Sequence, residues 1–262
     1  MDGFEMKTVF ENIGLKEVGV ALLDLAMPRR CVVCGGRLML RERFICLECL
    51  ADLPLTYYWQ LSHNPMADKF NARVQADLDK AFQANDPVPA EPYAYATALF
   101  FYNSESGYKK ICQHLKYHAG IASGRYFASK LGRFLARSEL YGDVDVVIPV
   151  PLHWTRRRER GYNQAEVIAR ELAAALGASL RTDVLVRARR TRTQTRMSVS
   201  SKADNVSGAF VVRNHCPEAH HVLLVDDTFT TGSTLNACRG ALRRALPASV
   251  RISVATLAFV VV

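Results

Sequence analysis

The chain has 262 residues, 49% of them hydrophobic, enough for one α/β domain of ordinary size and a smaller module beside it. No window approaches the roughly eighteen apolar residues of a membrane span. The opening MDGFEMKTVF carries acidic residues where a secretion signal would be positive, so a cytoplasmic protein is expected. The formal charge of +9 favours an anionic partner, either polyphosphate or nucleic acid.

Residues 8–25 place Val9, Phe10, Ile13, Val18, Leu22 and Leu25 at spacings compatible with an amphipathic helix, which either leads into the next module or docks a partner. Cys31-x-x-Cys34 and Cys46-x-x-Cys49 follow, with Gly35-Gly36 directly behind the first pair. Each knuckle lets two thiolates face one ion, and the glycines permit the tight turn that N–H to sulfur contacts require. A disulfide pair is the alternative, but a cytoplasmic setting disfavours it, and a redox CxxC has no need of a second copy. The set reads as a tetrahedral zinc site. Four cysteines leave no open coordination position, so this zinc is expected to be structural. Cys112, Cys216 and Cys238 lack paired spacing and read as buried small hydrophobes. His114 and His118 are four apart without a nearby acidic third ligand, and read as packing or surface histidines.

Residues 51–92 are rich in Pro, Asn, Asp and aromatics and read as a linker zone. Beyond them, 93–102 (YAYATALFFY) reads as a strand, 104–117 as a helix with Lys109, Lys110 and Lys116, and 122–140 as a second helix. Residues 144–150 (VDVVIPV) form a buried strand stopped by Pro149 and Pro151. A helix over 161–176 follows, then strands near 184–186 and 209–212, a strand at 221–225, a helix over 235–246 and a last strand over 251–260. Alternation of this kind predicts a parallel sheet with helices on both faces. There is no internal repeat.

Ligands of such sheets bind at the carboxyl ends of the strands. The loop 151–156 (PLHWTR) stands at one such end, where His153 and Trp154 serve either the site or loop packing. Arg156, Arg157, Arg158 and Arg160, with Lys116 upstream, are candidates to hold a diphosphate. The runs 156–160 (RRRER) and 187–196 (RARRTRTQTR) hold nine arginines, in basic loops that either meet an anion or only aid solubility. Residues 187–207 lack apolar periodicity, as lids over water-sensitive chemistry do.

The most informative stretch is 222–234, VLLVDDTFTTGST. Its aliphatic run suits a strand buried on both faces. Asp226 and Asp227 then stand before Thr230-Thr231-Gly232-Ser233-Thr234 at a helix start, where N–H groups lack intrahelical partners and Gly232 allows close approach of an anion. Hydroxyls of the loop add hydrogen bonds to phosphate oxygens, while the carboxylates accept from vicinal hydroxyls or approach magnesium through water. A ribose 5-phosphate offers both features. The bland reading, a capped helix behind a polar turn, leaves the combination unexplained. A Walker-type loop is excluded by the missing Gly-Lys-Ser/Thr.

This run resembles the diphosphoribosyl-binding signature of type I phosphoribosyltransferases. Together with the cysteine knuckles, LKYHAG (115–120), VIPVPLHWTRRRERGYNQAEVIA (147–169) and the loop 191–210, it makes nearly the whole chain similar to the ComF family. The resemblance implies a type I phosphoribosyltransferase-like parallel sheet flanked by helices, with a small N-terminal four-cysteine zinc module. The expected organisation is a helix and zinc module over 1–55, a linker or hood over 56–92 and the transferase-like domain over 93–262. The resemblance further implies catalytic Asp226 and Asp227. It places substrate contacts at Thr228, Thr230, Thr231, Gly232, Ser233, Thr234, Lys116, Pro151, Arg156, Arg160, Asn163, Gln164 and Gln194. Magnesium and phosphoribosyl diphosphate are the implied ligands; the acceptor is open. In the lid-like loop Thr191, Gln194 and Asn205 match, but Ser201-Lys202-Ala203-Asp204 stands where a basic run is usual. Some family members are needed for DNA uptake, which keeps a second function open: a non-catalytic competence factor holding single-stranded DNA for helicase or recombination partners.

Overall fold

The computed structural model describes residues 24, 27–86, 89–117, 120–188, 209–216 and 218–261. The helix expected over 8–25, apart from Asp24, and most of the lid-like segment, with Thr191, Gln194 and Asn205, lie outside the described residues. The chain divides into two compact units, one ending at Leu53 and one beginning at Pro54.

The smaller unit is built from turns. Gly35 adopts φ 79°, a left-handed conformation that glycine reaches without a Cβ penalty, and the chain doubles back so that Cys31 N–H donates to the Gly36 carbonyl at 2.8 Å. The Glu42 carboxylate accepts from the N–H groups of Met39 and Leu47, each at 2.6 Å, and these bonds hold its pKa below the usual carboxylate range. Leu47–Ala51 forms the short helix α1 directly after Cys46. Arg29 ties the turns together, donating to Asp24 at 2.7 Å and to the Glu42 carbonyl at 2.5 Å.

The larger unit opens with a 3-10 turn, Tyr58–Gln60, and helix α2, Pro65–Gln83. Asn64 starts α2 by accepting from the N–H groups of Met66 and Ala67, and Pro65 fills the first helical position, where no donor is needed. The segment 56–92, expected as a linker or hood, therefore carries a 19-residue helix whose Met66, Phe70 and Val74 enter the core. Then come β1 (Ala96–Tyr102), α3 (Lys109–His114), α4 (Ile121–Leu135), β2 (Val146–Pro149), α5 (Trp154–Arg160), α6 (Gln164–Leu176) and β3 (Ser179–Leu180). The remainder is β4 (Leu185–Arg187), β5 (Phe210–Val212), β6 (His221–Phe229), α7 (Ser233–Arg243) and β7 (Arg251–Val260).

Five strands make a wholly parallel sheet in the order β1-β7-β6-β2-β3. Val222 and Leu224 of β6 join Ile148, Ile252 and Val254 in a cluster with Phe70 of α2 and Leu235 and Leu242 of α7. Leu223 and Val225, which alternate to the other face, are fully buried too. There α6 lies against β2 and β6, and α4 against β1 and β7. The continuous apolar run of β6 is thus explained by cover on both sides, each buried Leu or Val contributing about 1.5–3 kcal/mol. The helices α4 and α6 meet at Gly132, where a Cβ would stand 2.8 Å from that of Ala175.

Two expectations need correction. The strands near 185 and 210 do not join the parallel sheet but pair antiparallel with each other as β4 and β5. The basic run 156–160 is not a loop: it lies on α5, which the buried His153 caps through Nδ1 and which Gly161 ends at φ 75°. No helix among the described residues is long and apolar enough to cross a membrane.

Candidate functional site

Strands β2 and β6 end side by side, Pro149 opposite Val225, with Val150 N–H donating to the Val225 carbonyl at 2.8 Å. Half-buried Pro151 on one strand end therefore adjoins Asp226 and Asp227 on the other. The Asp226 carboxylate accepts from Asp227 N–H at 2.8 Å. Burial raises both carboxyl groups, Asp226 to about 8, and at Asp226 the charge of Asp227 adds to the rise. Lys116 pulls both down, joined by Arg187 at Asp226 and Arg160 at Asp227. A carboxylate pair of this kind, short of compensating charge, is suited to accept from hydroxyl donors or to meet a cation. Thr228 engages its protein neighbours, its hydroxyl favouring the ionised forms of Asp227, Tyr102 and Cys112.

After β6 the chain turns through Thr230, Thr231 and Gly232 into α7. Gly232 sits at φ 75° as the residue before the helix, and a Cβ there would stand 2.6 Å from Cζ of Phe229. Both facts restrict the position to glycine. Thr231 Oγ1 lies 2.9 Å from Ser233 Oγ, and Thr234 is half-buried in the first turn of α7. The loop is held from behind by α2: Lys69 Nζ donates to the Thr230 carbonyl at 2.9 Å, and Arg73 Nε donates to that of Thr231.

Cations converge from the opposite side. Tyr162 directs its hydroxyl at the carbonyls of Leu115 and Tyr117, the latter at 2.7 Å, and so fixes the turn that carries Lys116. Lys116, Tyr117, Glu159 and Arg160 line a cleft of about 300 Å³. Arg160 Nη1 donates to Gln164 Oε1 at 3.1 Å; Gln164 is buried, and its Nε2 meets no acceptor among the described residues. Arg187 is held below its ordinary pKa, first by burial and next by the charge of Arg156, while the charge of Asp226 acts the other way.

The carboxylates, the Thr230–Thr234 turn, Lys116, Pro151, Arg156, Arg160 and Gln164 thus belong to one end of the sheet. Asn163 is committed differently: its amide donates to the Val150 carbonyl at 3.0 Å and accepts from Ala165 N–H at 3.2 Å, capping α6 and bracing β2. Gln194 lies outside the described residues. Sequence reasoning missed Lys69, Arg73 and Tyr162. Asn64-Pro65, a cap followed by a first-turn proline, signalled the helix that carries the first two, and Tyr162 stands inside the RGYNQ run itself.

In the smaller unit, the sulfur atoms of Cys31, Cys34, Cys46 and Cys49 all lie within 4.8 Å of one another and could hold a metal ion. Gly36 N–H points at Cys34 Sγ and Cys46 N–H at Cys31 Sγ, each at 3.4 Å, contacts that favour thiolates. Burial raises the Cys49 thiol, and the neighbouring sulfurs add to it. Four soft donors crowded in this way fit one tetrahedral cation.

A model of the phosphoribosyl transferase domain matches residues 161–258, from the end of α5 to β7. The chain is 27% identical to "Competence protein F" of Haemophilus influenzae over 229 residues, 82% of this chain and 91% of that one. It is 36% identical to "DNA utilization protein YhgH" of Salmonella typhi over 110 residues, 41% of this chain and 47% of the relative. With "Competence protein ComFC" of Bacillus subtilis it shares 32% over 116 residues, 43% of this chain and 45% of the other. A transferase-type strand, loop and helix, a four-cysteine cluster and similarity to competence proteins are what this chain has in common with the ComF family.

Proposed function

We propose that the chain binds phosphoribosyl diphosphate with magnesium and transfers its phosphoribosyl group to an acceptor, as a cytoplasmic protein in a competence-related role. The carrying observation is the pair Asp226 and Asp227 at the end of a buried parallel strand, followed directly by a hydroxyl-rich turn at a helix start with Gly232 in the left-handed region. In this reading Asp226 and Asp227 accept from the ribose 2- and 3-hydroxyls, and Thr230–Thr234 cradle the 5-phosphate. Lys116, Arg156 and Arg160 meet the diphosphate, which leaves with the C1–O bonding pair as the acceptor bonds to C1. Cations there stabilise the charge that develops on the leaving group. Asp226 and Asp227 would hold magnesium through water, and the ion would supply positive charge against the diphosphate. Zinc is the ion proposed for Cys31, Cys34, Cys46 and Cys49, with a structural role. The names of the relatives, competence protein F and DNA utilization protein, support a setting in DNA uptake.

Calorimetric titration of phosphoribosyl diphosphate with magnesium into zinc-loaded protein tests the reading. Binding that is lost in an Asp226→Asn, Asp227→Asn variant supports it, and no binding by the wild type removes it.

A second reading draws on α5, where Arg157 and Arg158 are exposed beside half-buried Arg156 and Arg160. In it the chain is a non-catalytic competence factor that holds single-stranded DNA for helicase or recombination partners. Affinity for single strands falling steeply with salt supports it, and negligible affinity at low salt excludes it.

A further inference from the structure

We infer that Lys69 and Arg73 of α2 are positioning residues for the phosphate loop: by holding the carbonyls of Thr230 and Thr231, they aim the N–H groups of Thr231 and Gly232 at the ligand's phosphate. The inference rests on the phosphoribosyl reading of this loop and adds to it a part for the helix of the segment expected as linker or hood.

The reason lies in the peptide unit. Among the described residues no peptide bond is cis, and in a trans peptide the C=O and N–H groups point in opposite directions. The Thr230 carbonyl shares its peptide with Thr231 N–H, and the Thr231 carbonyl shares its own with Gly232 N–H. Lys69 Nζ on the first carbonyl and Arg73 Nε on the second therefore set the direction of both donors. Neither N–H meets a protein acceptor among the described residues. A turn with one peptide reversed would present a carbonyl oxygen, and its partial negative charge, to the phosphate. The two cations prevent that reversal, and by polarising each peptide they make its N–H a stronger donor.

The helix that carries these cations is itself anchored to α7. Asp77 accepts from Asn236 Nδ2 at 2.8 Å and pairs with Arg239 at 3.2 Å. Glu91, beyond the helix, pairs with Arg239 and, at 2.8 Å, with Arg243. Arg239, Arg243 and Glu91 have side chains only 5–7% exposed, whereas Asp77 is 46% exposed. Helix α2 thus holds the loop at two carbonyls and the helix that follows it through Asn236 and Arg239.

The test compares wild type, Arg73→Met, the Lys69→Met, Arg73→Met double variant and Arg73→Lys. Ribose 5-phosphate, magnesium pyrophosphate and phosphoribosyl diphosphate with magnesium are titrated into each full-length protein. The expected result is a loss of about tenfold in ribose 5-phosphate affinity for Arg73→Met, a larger loss for the double variant and partial rescue by Arg73→Lys. Magnesium pyrophosphate affinity should stay unchanged. Unchanged ribose 5-phosphate affinity in the double variant overturns the inference, as does an equal loss for both ligands, which would signal general damage. If the wild type binds none of the three, the phosphoribosyl reading falls. The support is then judged by the carbonyl-carbon resonances of Thr230 and Thr231 and by the amide response of Thr231 and Gly232 to inorganic phosphate. Carbonyl shifts and an amide response altered by the double substitution uphold it, and their indifference overturns it.

Discussion

His221 and Asp143 face each other at 2.6 Å, Nδ1 to Oδ1, at the end of the sheet opposite the candidate site. On its other side His221 Nε2 lies 2.8 Å from Ser253 Oγ, which also accepts from Tyr95 N–H at 3.1 Å. The order Ser, His, Asp looks like a hydrolase triad, but Ser253 is wholly buried in β7 and no substrate reaches it. The chain of bonds instead pins β6, β7 and the approach to β2.

A pH dependence follows from that burial. Burial holds the His221 pKa below its ordinary 6.5, against Asp143 and Asp145, which raise it, and with Arg251, which lowers it further. A histidine kept neutral in the fold but free to charge when unfolded contributes stability above about pH 6.5 that is lost as pH falls through the depressed value. Urea melts between pH 7 and pH 5 should show stability declining with acid, and His221→Asn should flatten that slope. Ser253→Ala should cost about 1–3 kcal/mol at neutral pH by stranding a buried acceptor and the Tyr95 donor.

The carboxylate pair has the opposite sign. The folded-state pKa of Asp226 lies above the unfolded value, so its contribution is fully present below about pH 3.8 and is lost as pH rises through the folded value. Asp226→Asn keeps an acceptor for Asp227 N–H and removes the charge. It should raise the melting temperature of the ligand-free protein at pH 8, leave it nearly unchanged at acid pH, and abolish phosphoribosyl diphosphate binding. A variant less stable than wild type at pH 8 would contradict the assigned burial of the pair.

Gly232→Ala meets two obstacles, φ 75° and the ring of Phe229. A loss of about 1–3 kcal/mol in denaturant melts is expected, with loss of ribose 5-phosphate binding. Its neighbour Thr230 is exposed, and Thr230→Ala should be nearly neutral for stability while weakening the same ligand.

For the cysteine cluster, one zinc per chain is expected by elemental analysis. Cys46→Ser or a strong chelator should expose residues 27–53 to proteases, because binding energy of about 10 kcal/mol or more is what folds so small a unit. A protease pattern unaffected by metal removal would count against the zinc assignment.

Much of the site was legible because its chemistry is local in sequence. The run from Val222 to Thr234 contains strand, carboxylates, turn and helix start without a break, and the last strand was read with its observed bounds, Arg251–Val260. The supports were harder to see. In α2 the core-facing residues Met66, Phe70 and Val74 form a stripe so narrow that the polar majority dominates the composition. Helix α5 has no apolar stripe at all, and its existence rests on His153 before it and Gly161 after it. The pairing of β4 with β5 was invisible because short strands declare their conformation, not their partner.

The sheet order carries a consequence for how the molecule is made. Among the described residues, strand β1 hydrogen-bonds within the sheet only to β7, and Glu91 finds Arg239 and Arg243 after another 148 residues or more have been added. On the ribosome the first half of the larger unit must therefore wait with an open edge and an unpaired carboxylate. Long-range closure of this kind is slow, and it makes assembly nearly all-or-none. A nascent chain stopped before residue 251 would own every residue of the phosphate loop and still lack the strand that closes the sheet around it.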